Sequence, residues 1–517
     1  MKLSRFADWK EEVMLVPIVL AAALVQPVPG VGDVVFPNSG APAAQQAFLT
    51  GLAELHNFEY ADAARWFRKA QDADPRFALA YWGEAMTFNH PVWMEQDIAA
   101  ARRALKRLGE TSDARLAAAP TAREKAWLGA VEILYGEGDK YARDFAYADA
   151  MADLHRAYPD DVEATAFYAL ALLGTAHEGR DFAIYMRAAA LLEPLFPRYP
   201  NHPGIAHYLI HSYDDPVHAP LGLRAARAYS KIAPSAAHAQ HMCSHIFVAL
   251  GMWDDVVAAN ETAIRLTSGE PAAGRPPSPC GHYPSWLAYG YLQQGRVADA
   301  RRMTLACAAA QKGGAQYPVA VMRARFLIDT GEWSGEVAAL PMGDAPPVAL
   351  ETSEFTDALG ALERNDVPAA RAAIDRFERA RAALKASRPA NYTHADDVRG
   401  AIFQSELTGL LDVRTGRLDE GLARLQSAAA EEDKLPYEFG PPFIDKPTYE
   451  LLGEALLIAG RPADARRAFD KALARTPGRI AALTGVMKAA ELTGDRKKAN
   501  EVRAELAKNG RSREQDE

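Results

Sequence analysis

The sequence predicts an all-α solenoid of stacked helix pairs, and three observations carry that prediction. The chain has 517 residues, more than one ordinary hydrophobic core supports. Alanine, leucine and arginine are abundant throughout, a mixture that favours helix. Small and large apolar residues also recur in a frame of 34 residues, and a fixed period of that length marks an array that grows by stacking. About half of the residues (49%) are apolar, which excludes a disordered chain. The net charge is −9, with Lys and Arg scattered among acids, so no nucleic-acid surface is expected.

From the N-terminus, Lys2, Arg5 and Lys10 precede an apolar run from Val13 to Val25, followed by Pro27-Val28-Pro29-Gly30. The run is short for a bilayer span but fits the core of a secretory leader, with Ala21, Ala22 and Ala23 near a cleavage point. Residues 1–30 are therefore read as a signal peptide. The mature chain is expected to be exported (periplasmic or secreted), or cytoplasmic if this segment is not a signal. Asp8, Glu11 and Glu12 depart from the usual basic leader. No other segment has the length and apolarity of a membrane span.

The repeats follow. Between Pro447 and Pro477, residues Tyr449, Leu452, Gly453, Gly460, Ala465, Phe469, Ala472 and Pro477 fall on slots 4, 7, 8, 15, 20, 24, 27 and 32 of the frame. These positions resemble the tetratricopeptide-repeat (TPR) signature, which implies antiparallel helix pairs, A and B, winding into a right-handed superhelix. The frame recurs with Gly494 and Ala499, and near the start with Gly51, Ala63, Phe67, Ala70 and Pro75. In the middle it is marked by Tyr213, Gly222 and Pro234, by Phe247, Gly251 and Ala263, and by Leu287, Tyr291, Gly295, Ala300 and Cys307. From about 97 to 200 and from 330 to 400 the signature fades, and helices are expected from Ala/Leu/Arg periodicity alone.

Three Pro-rich stretches interrupt the array. Ser268–Pro279 lengthens one connection, and Pro436–Pro442 precedes the last repeats. Trp333–Thr352, with Pro341, Pro346 and Pro347, divides an N-terminal array (31–332) from a C-terminal one (353–510), which ends in a charged tail at 511–517. Cys243, Cys280 and Cys307 form neither CxxC nor a disulfide framework. Cys307 and Cys243 sit in slots that normally hold buried residues and are read as core.

Eight of the 13 histidines lie between His202 and His282, where a uniform spread would place about two. His207/His211 and His241/His245 are i, i+4 pairs, each on one helical face, and the pairs are offset by 34 residues. In the TPR frame they take the fifth and ninth slots of helix A in neighbouring units. His238 and His282 take the second slot, and Asp214 and Asp215 the twelfth and thirteenth. The resemblance implies that these slots face a concave groove. Packed helices lie about 8–10 Å apart, so His207, His211, His238, His241, His245 and His282 are expected around one point. Such a point could hold a transition metal, zinc or copper, with Asp214 or Asp215 as an oxygen ligand or orienting an imidazole. His207-Tyr-Leu-Ile-His211 lacks the glutamate of HExxH, so a zincin-type peptidase is not expected. His56 and His90, set among aromatics, are read as packed and hydrogen-bonded, and His155 and His394 as ordinary. Glu178, in a polar turn, has a weak claim on the groove.

The segments His56–Trp93, His207–His218 and His238–Trp253 and the Gly440-Pro441-Pro442 loop together resemble a group of bacterial, often exported TPR proteins with a His-rich central region. That group often carries another residue in place of Cys243. The resemblance imports little chemistry. Two functions are left open: a solenoid with a metal site in its groove, either for binding alone or as a metalloenzyme, and a non-enzymatic scaffold that takes a small-molecule, peptide or protein ligand there.

Overall fold

The computed structural model describes residues 29–269, 278–310, 317–389 and 392–510. The expected leader, apart from Pro29 and Gly30, lies outside them, as do the charged tail and most of the Ser268–Pro279 insertion. Among the described residues there are 24 α-helices, one 3-10 turn and one short antiparallel pairing of Asn89–His90 with Glu95–Gln96. Consecutive helices pack on one another along the chain. This is an all-α, TPR-type solenoid. Helices also fill the two stretches where the signature fades, from Ile98–Lys106 to Phe182–Leu192 and over Pro347–Glu363 and Val367–Ser387.

The repeat residues show why the pairs close. Phe67, in the Tyr60–Ala73 helix, lies between Gly51 and Gly83 of the flanking A helices. Phe469 lies likewise between Gly453 and Gly485. A methyl group at any of these glycines would meet the ring, so the small slots set how closely three helices approach around one large side chain. Two residues past the end of helix A, the chain turns through a left-handed residue: Gly251 (φ 67°), Gly295 (68°), Gly416 (87°), Gly460 (69°) and Gly494 (78°), with Asn365 (57°) once. Glycine takes this conformation without strain. In the first unit the same slot holds Phe58 at φ 57°, an unfavourable backbone for an aromatic residue.

Buried apolar residues form one core from Val31 to Tyr289 and another from Ala324 to Val502, with smaller clusters between them. The Pro-containing connection is non-helical up to Pro346, and helix resumes at Pro347. The C-terminal repeats then return to the central ones. Trp253 Nε1 donates to Gly478 O at 2.9 Å, and Ile480 N donates to Gln293 Oε1 at 3.1 Å. Arg479 is fully buried; it pairs with Asp329 and with Glu450, each at 2.5 Å, and donates to the Tyr289 hydroxyl at 3.1 Å. The Pro436–Pro442 loop is carried into the middle of the molecule, with Gly440 against Trp286.

The cysteines depart from the expected pattern in one respect. Cys307 is buried as expected, but it forms a disulfide with Cys280, 27 residues away. The bridge ties the start of the His282–Gln293 helix to the Val297–Ala310 helix. Cys243 is free and buried, and its thiol donates to Ala239 O. Burial pushes that thiol up to about 12, so it is core.

Candidate metal centre

Two A helices carry most of the site, Pro203–Tyr213 and Ala237–Ala249. Pro203 opens the first helix, and His202 caps it, its Nδ1 accepting from Ile205 N at 3.2 Å. Both helices are buried almost all round. The sequence frame anticipates an open groove at these slots. Here the groove is occupied by Phe58 and Trp93 from the first units and by Phe439 from the C-terminal loop, whose ring centre is 5.6 Å from that of His245.

The six histidines gather, but in two groups of three rather than around one point. His207, His211 and His238 form the first, and His241, His245 and His282 the second. Within each group, one ligand atom from each residue lies within 4.8 Å of the others. The groups divide this way because His238 lies one helical turn before His241 and leans toward the neighbouring repeat, whereas His282 arrives from the following one.

Hydrogen bonds fix the ring orientations. His207 Nδ1 is 2.7 Å from the carbonyl of His56. A carbonyl only accepts, so the proton sits on Nδ1 and Nε2 carries a lone pair. His241 Nδ1 donates to Asn260 Oδ1 at 2.7 Å, while Asn260 Nδ2 is committed to Val256 O. His245 Nδ1 donates to Asp214 Oδ2 at 2.5 Å. His241 and His245 thus turn two acceptor nitrogens toward each other, Nε2 to Nε2, at 3.1 Å. In the first group, Nε2 of His207, His211 and His238 are all buried without a hydrogen-bond partner. Burial pushes the His207 imidazole down to about 3 and those of His211, His238 and His241 well below their ordinary value, and the neighbouring imidazoles add to the effect. The lone pairs are therefore free.

Around the rings stand aromatic side chains. Phe58 packs 4.3 Å from His207, 5.8 Å from His211 and 5.6 Å from His238, centre to centre. Trp286 lies 4.3 Å from His245 and 4.9 Å from His241. The Tyr283 hydroxyl is 3.5 Å from His238 Nδ1. His282 alone among the six is exposed.

The two aspartates differ. Asp214 orients His245 through one oxygen, and its Oδ1 is buried and unpartnered. Asp215 binds His218 at 2.9 Å and Arg180 at 3.4 Å and accepts from the backbone at Val217 and His218. That set of bonds ties down a turn and commits Asp215 to His218 rather than to the six clustered imidazoles.

A third group went unread in the sequence. His56 Nε2 is 2.7 Å from Glu163 Oε2, His202 Nε2 is 3.0 Å from Glu163 Oε1, and His56 Nδ1 meets the Tyr208 hydroxyl at 2.8 Å. Burial alone would raise the Glu163 carboxyl, but His202 and His56 bring it down to about 2. Every ring nitrogen here has a partner, so the cluster is a hydrogen-bonded core that joins the first unit to the central ones. His56 is packed and hydrogen-bonded, as its neighbours in the sequence suggest. His90 also packs, stacked on Tyr60 with 4.0 Å between ring centres and with Nε2 3.2 Å from Thr87 O. Glu163 could not be found by spacing, because it comes from a different helix, Val162–Leu173.

No protein-family model and no curated protein matches the chain. Solved structures similar to it include the APC/C hetero-tetramer Cut9–Hcn1 (14% identity, 88% of this chain and 78% of that one, TM-score 0.34). They also include yeast Tom70 (11%, 88% and 96%, 0.35) and the TPR domain of P58(IPK) (12%, 87% and 98%, 0.22). At such identities and scores these likenesses say nothing of activity or partner. The repeat assignment rests on the chain's own helix pairs, glycine turns and Gly–Phe–Gly packing: the protein is a helical-repeat solenoid of TPR type.

Proposed function

We propose that this solenoid binds transition metal, zinc or copper, on its central histidines. The observation that carries the reading is the approach of His207, His211 and His238, one ring nitrogen of each lying within 4.8 Å of the others, with all three Nε2 atoms buried without a partner and the His207 Nε2 fixed as an acceptor. Buried polar atoms are normally satisfied, and each orphan costs about 1–3 kcal/mol. A cation at that point satisfies all three. The second group supports the same reading. Two lone pairs 3.1 Å apart repel, whereas ligands sharing a tetrahedral ion at about 2.0–2.1 Å each stand at roughly that separation. A shared proton would relieve this one pair but not the first group. The Nδ1–H bonds to a carbonyl, an amide and a carboxylate are the outer contacts that orient metal-binding imidazoles.

The peptide-scaffold alternative draws on the helical-repeat architecture, whose surfaces commonly carry partners. Burial of five of the six histidines leaves a peptide little access to them, which favours the metal reading for these residues. Export belongs to the same reading, because a disulfide such as Cys280–Cys307 persists in oxidising compartments. Among the described residues, no helix is long and apolar enough to cross a membrane.

The test is metal content. Native protein purified without chelators should carry near-stoichiometric zinc or copper. His207→Ala/His238→Ala and His241→Ala/His245→Ala should each lose metal while keeping helical circular dichroism. Metal-free protein from metal-replete medium, with no uptake on titration, would overturn the proposal.

A further inference from the structure

The two histidine groups are contiguous. Ring centres of His211 and His245 are 6.1 Å apart, and those of His238 and His241 are 6.2 Å apart. The second group itself spans as much, since His245 and His282 are also 6.2 Å apart. Tyr283 touches both groups, with its hydroxyl at His238 and its ring centre 4.7 Å from that of His241.

The charge around this pair is out of balance. All six donors are imidazoles. Among the described residues, Asp214 is the carboxylate bonded to a ring of either group. Asp215 is taken by Arg180 and His218. Glu59 accepts from the backbone N–H of His238 rather than from its ring, and Glu438 lines a pocket with Asp214 and Asp215 beside Arg180 and makes no bond to the six rings. The walls include Phe58, Trp93, Tyr208, Tyr229, Trp286 and Phe439, which bring no negative charge. Two divalent ions would bring four positive charges to rings of which one is bonded to a carboxylate, in a space where water screens little. Three protein ligands per ion also leave each ion an open coordination position.

We infer that the two groups act as one two-metal centre that binds a small bridging anion, such as hydroxide or a pseudohalide, between its ions. The anion supplies the negative charge that the protein withholds, and it completes both coordination shells at once. The inference rests on the metal reading above and goes beyond it by naming the pairing and the ligand class.

Copper(II) with azide as probe tests it on the full-length, metal-free protein. The expected result is two copper ions per chain, an electron-paramagnetic-resonance signal well below that of two independent spins, and one azide bound per two coppers with a charge-transfer band. His282→Ala alters the most exposed ligand, at a helix start, and should leave the fold intact by circular dichroism. It should bind one copper with a full single-spin signal and lose azide affinity at least ten-fold. Two coppers with a full two-spin signal and one azide each, or only one copper in the unaltered chain, would overturn the pairing and leave the metal reading standing. No copper at all would overturn both.

Discussion

Phe58 is the residue at which the repeat rule gives way. Five other units use glycine at this left-handed turn, and one uses asparagine. An L-side chain there costs roughly 1–2 kcal/mol, and strain of this kind persists where the surroundings over-determine it. Here the ring covers three imidazoles. Phe58→Gly should therefore relieve the backbone yet lose more through the cavity, which costs about 3–5 kcal/mol for a large aromatic side chain. Urea unfolding should show a net loss of about 2 kcal/mol, and metal bound at the first group should exchange faster. A gain in stability would show that the ring is not needed. His207 ties stability to pH. Its folded value, about 3, lies below the ordinary 6.5, so its contribution is complete above pH 6.5 and is lost as pH falls from there toward 3. The slope is roughly 1.4 kcal/mol per pH unit for this one group. Glu163, down from 4.5 to about 2, adds a later loss between those values. Denaturation of metal-free protein at pH 7.5, 6.0 and 5.0 should show the first step, to which His211, His238 and His241 also contribute, and His207→Gln should lower its slope by roughly 1.4 kcal/mol per pH unit.

At the scale of helices, the sequence was most informative where a slot has one physical job. Gly453, Phe469 and Gly485 could be read directly because only small and large residues in alternation close three helices. Gly485→Leu should force the Phe469 ring out of place and lower stability by about 1–3 kcal/mol, a shift that thermal unfolding would register. The histidine columns were legible for the same reason: His207 and His241, 34 residues apart, share a slot. Their division into two groups was not, since it depends on how far neighbouring helices are staggered, and slot number carries no stagger. The Cys280–Cys307 bridge was also hidden. It pairs the start of one helix with the far part of the next, and no CxxC spacing announces it.

At the scale of the whole molecule, the partners that shape the site come from distant sequence. Glu163, Phe58 and Phe439 reach the central helices from other units, and no local pattern foretells such pairings. The contact that brings the C-terminal repeats home is the buried Arg479 with Asp329 and Glu450. Removing the guanidinium leaves two acids buried without it, a situation that costs about 3–5 kcal/mol. Arg479→Ala should free the C-terminal repeats from Trp253. Limited proteolysis near Pro436–Pro442 and a red shift of tryptophan fluorescence would report this, and unchanged protection would show that the closure does not depend on Arg479.

The bond from Trp253 to Gly478 spans 225 residues. An open array of repeats contains only neighbour contacts, so it can fray from either end and refold from any point. A solenoid fastened across such a distance is held at Gly478 by a far repeat as well as by its neighbours. Its late repeats should exchange amide hydrogens about as slowly as its middle, and its folding should be slowed by the search for one far-off contact.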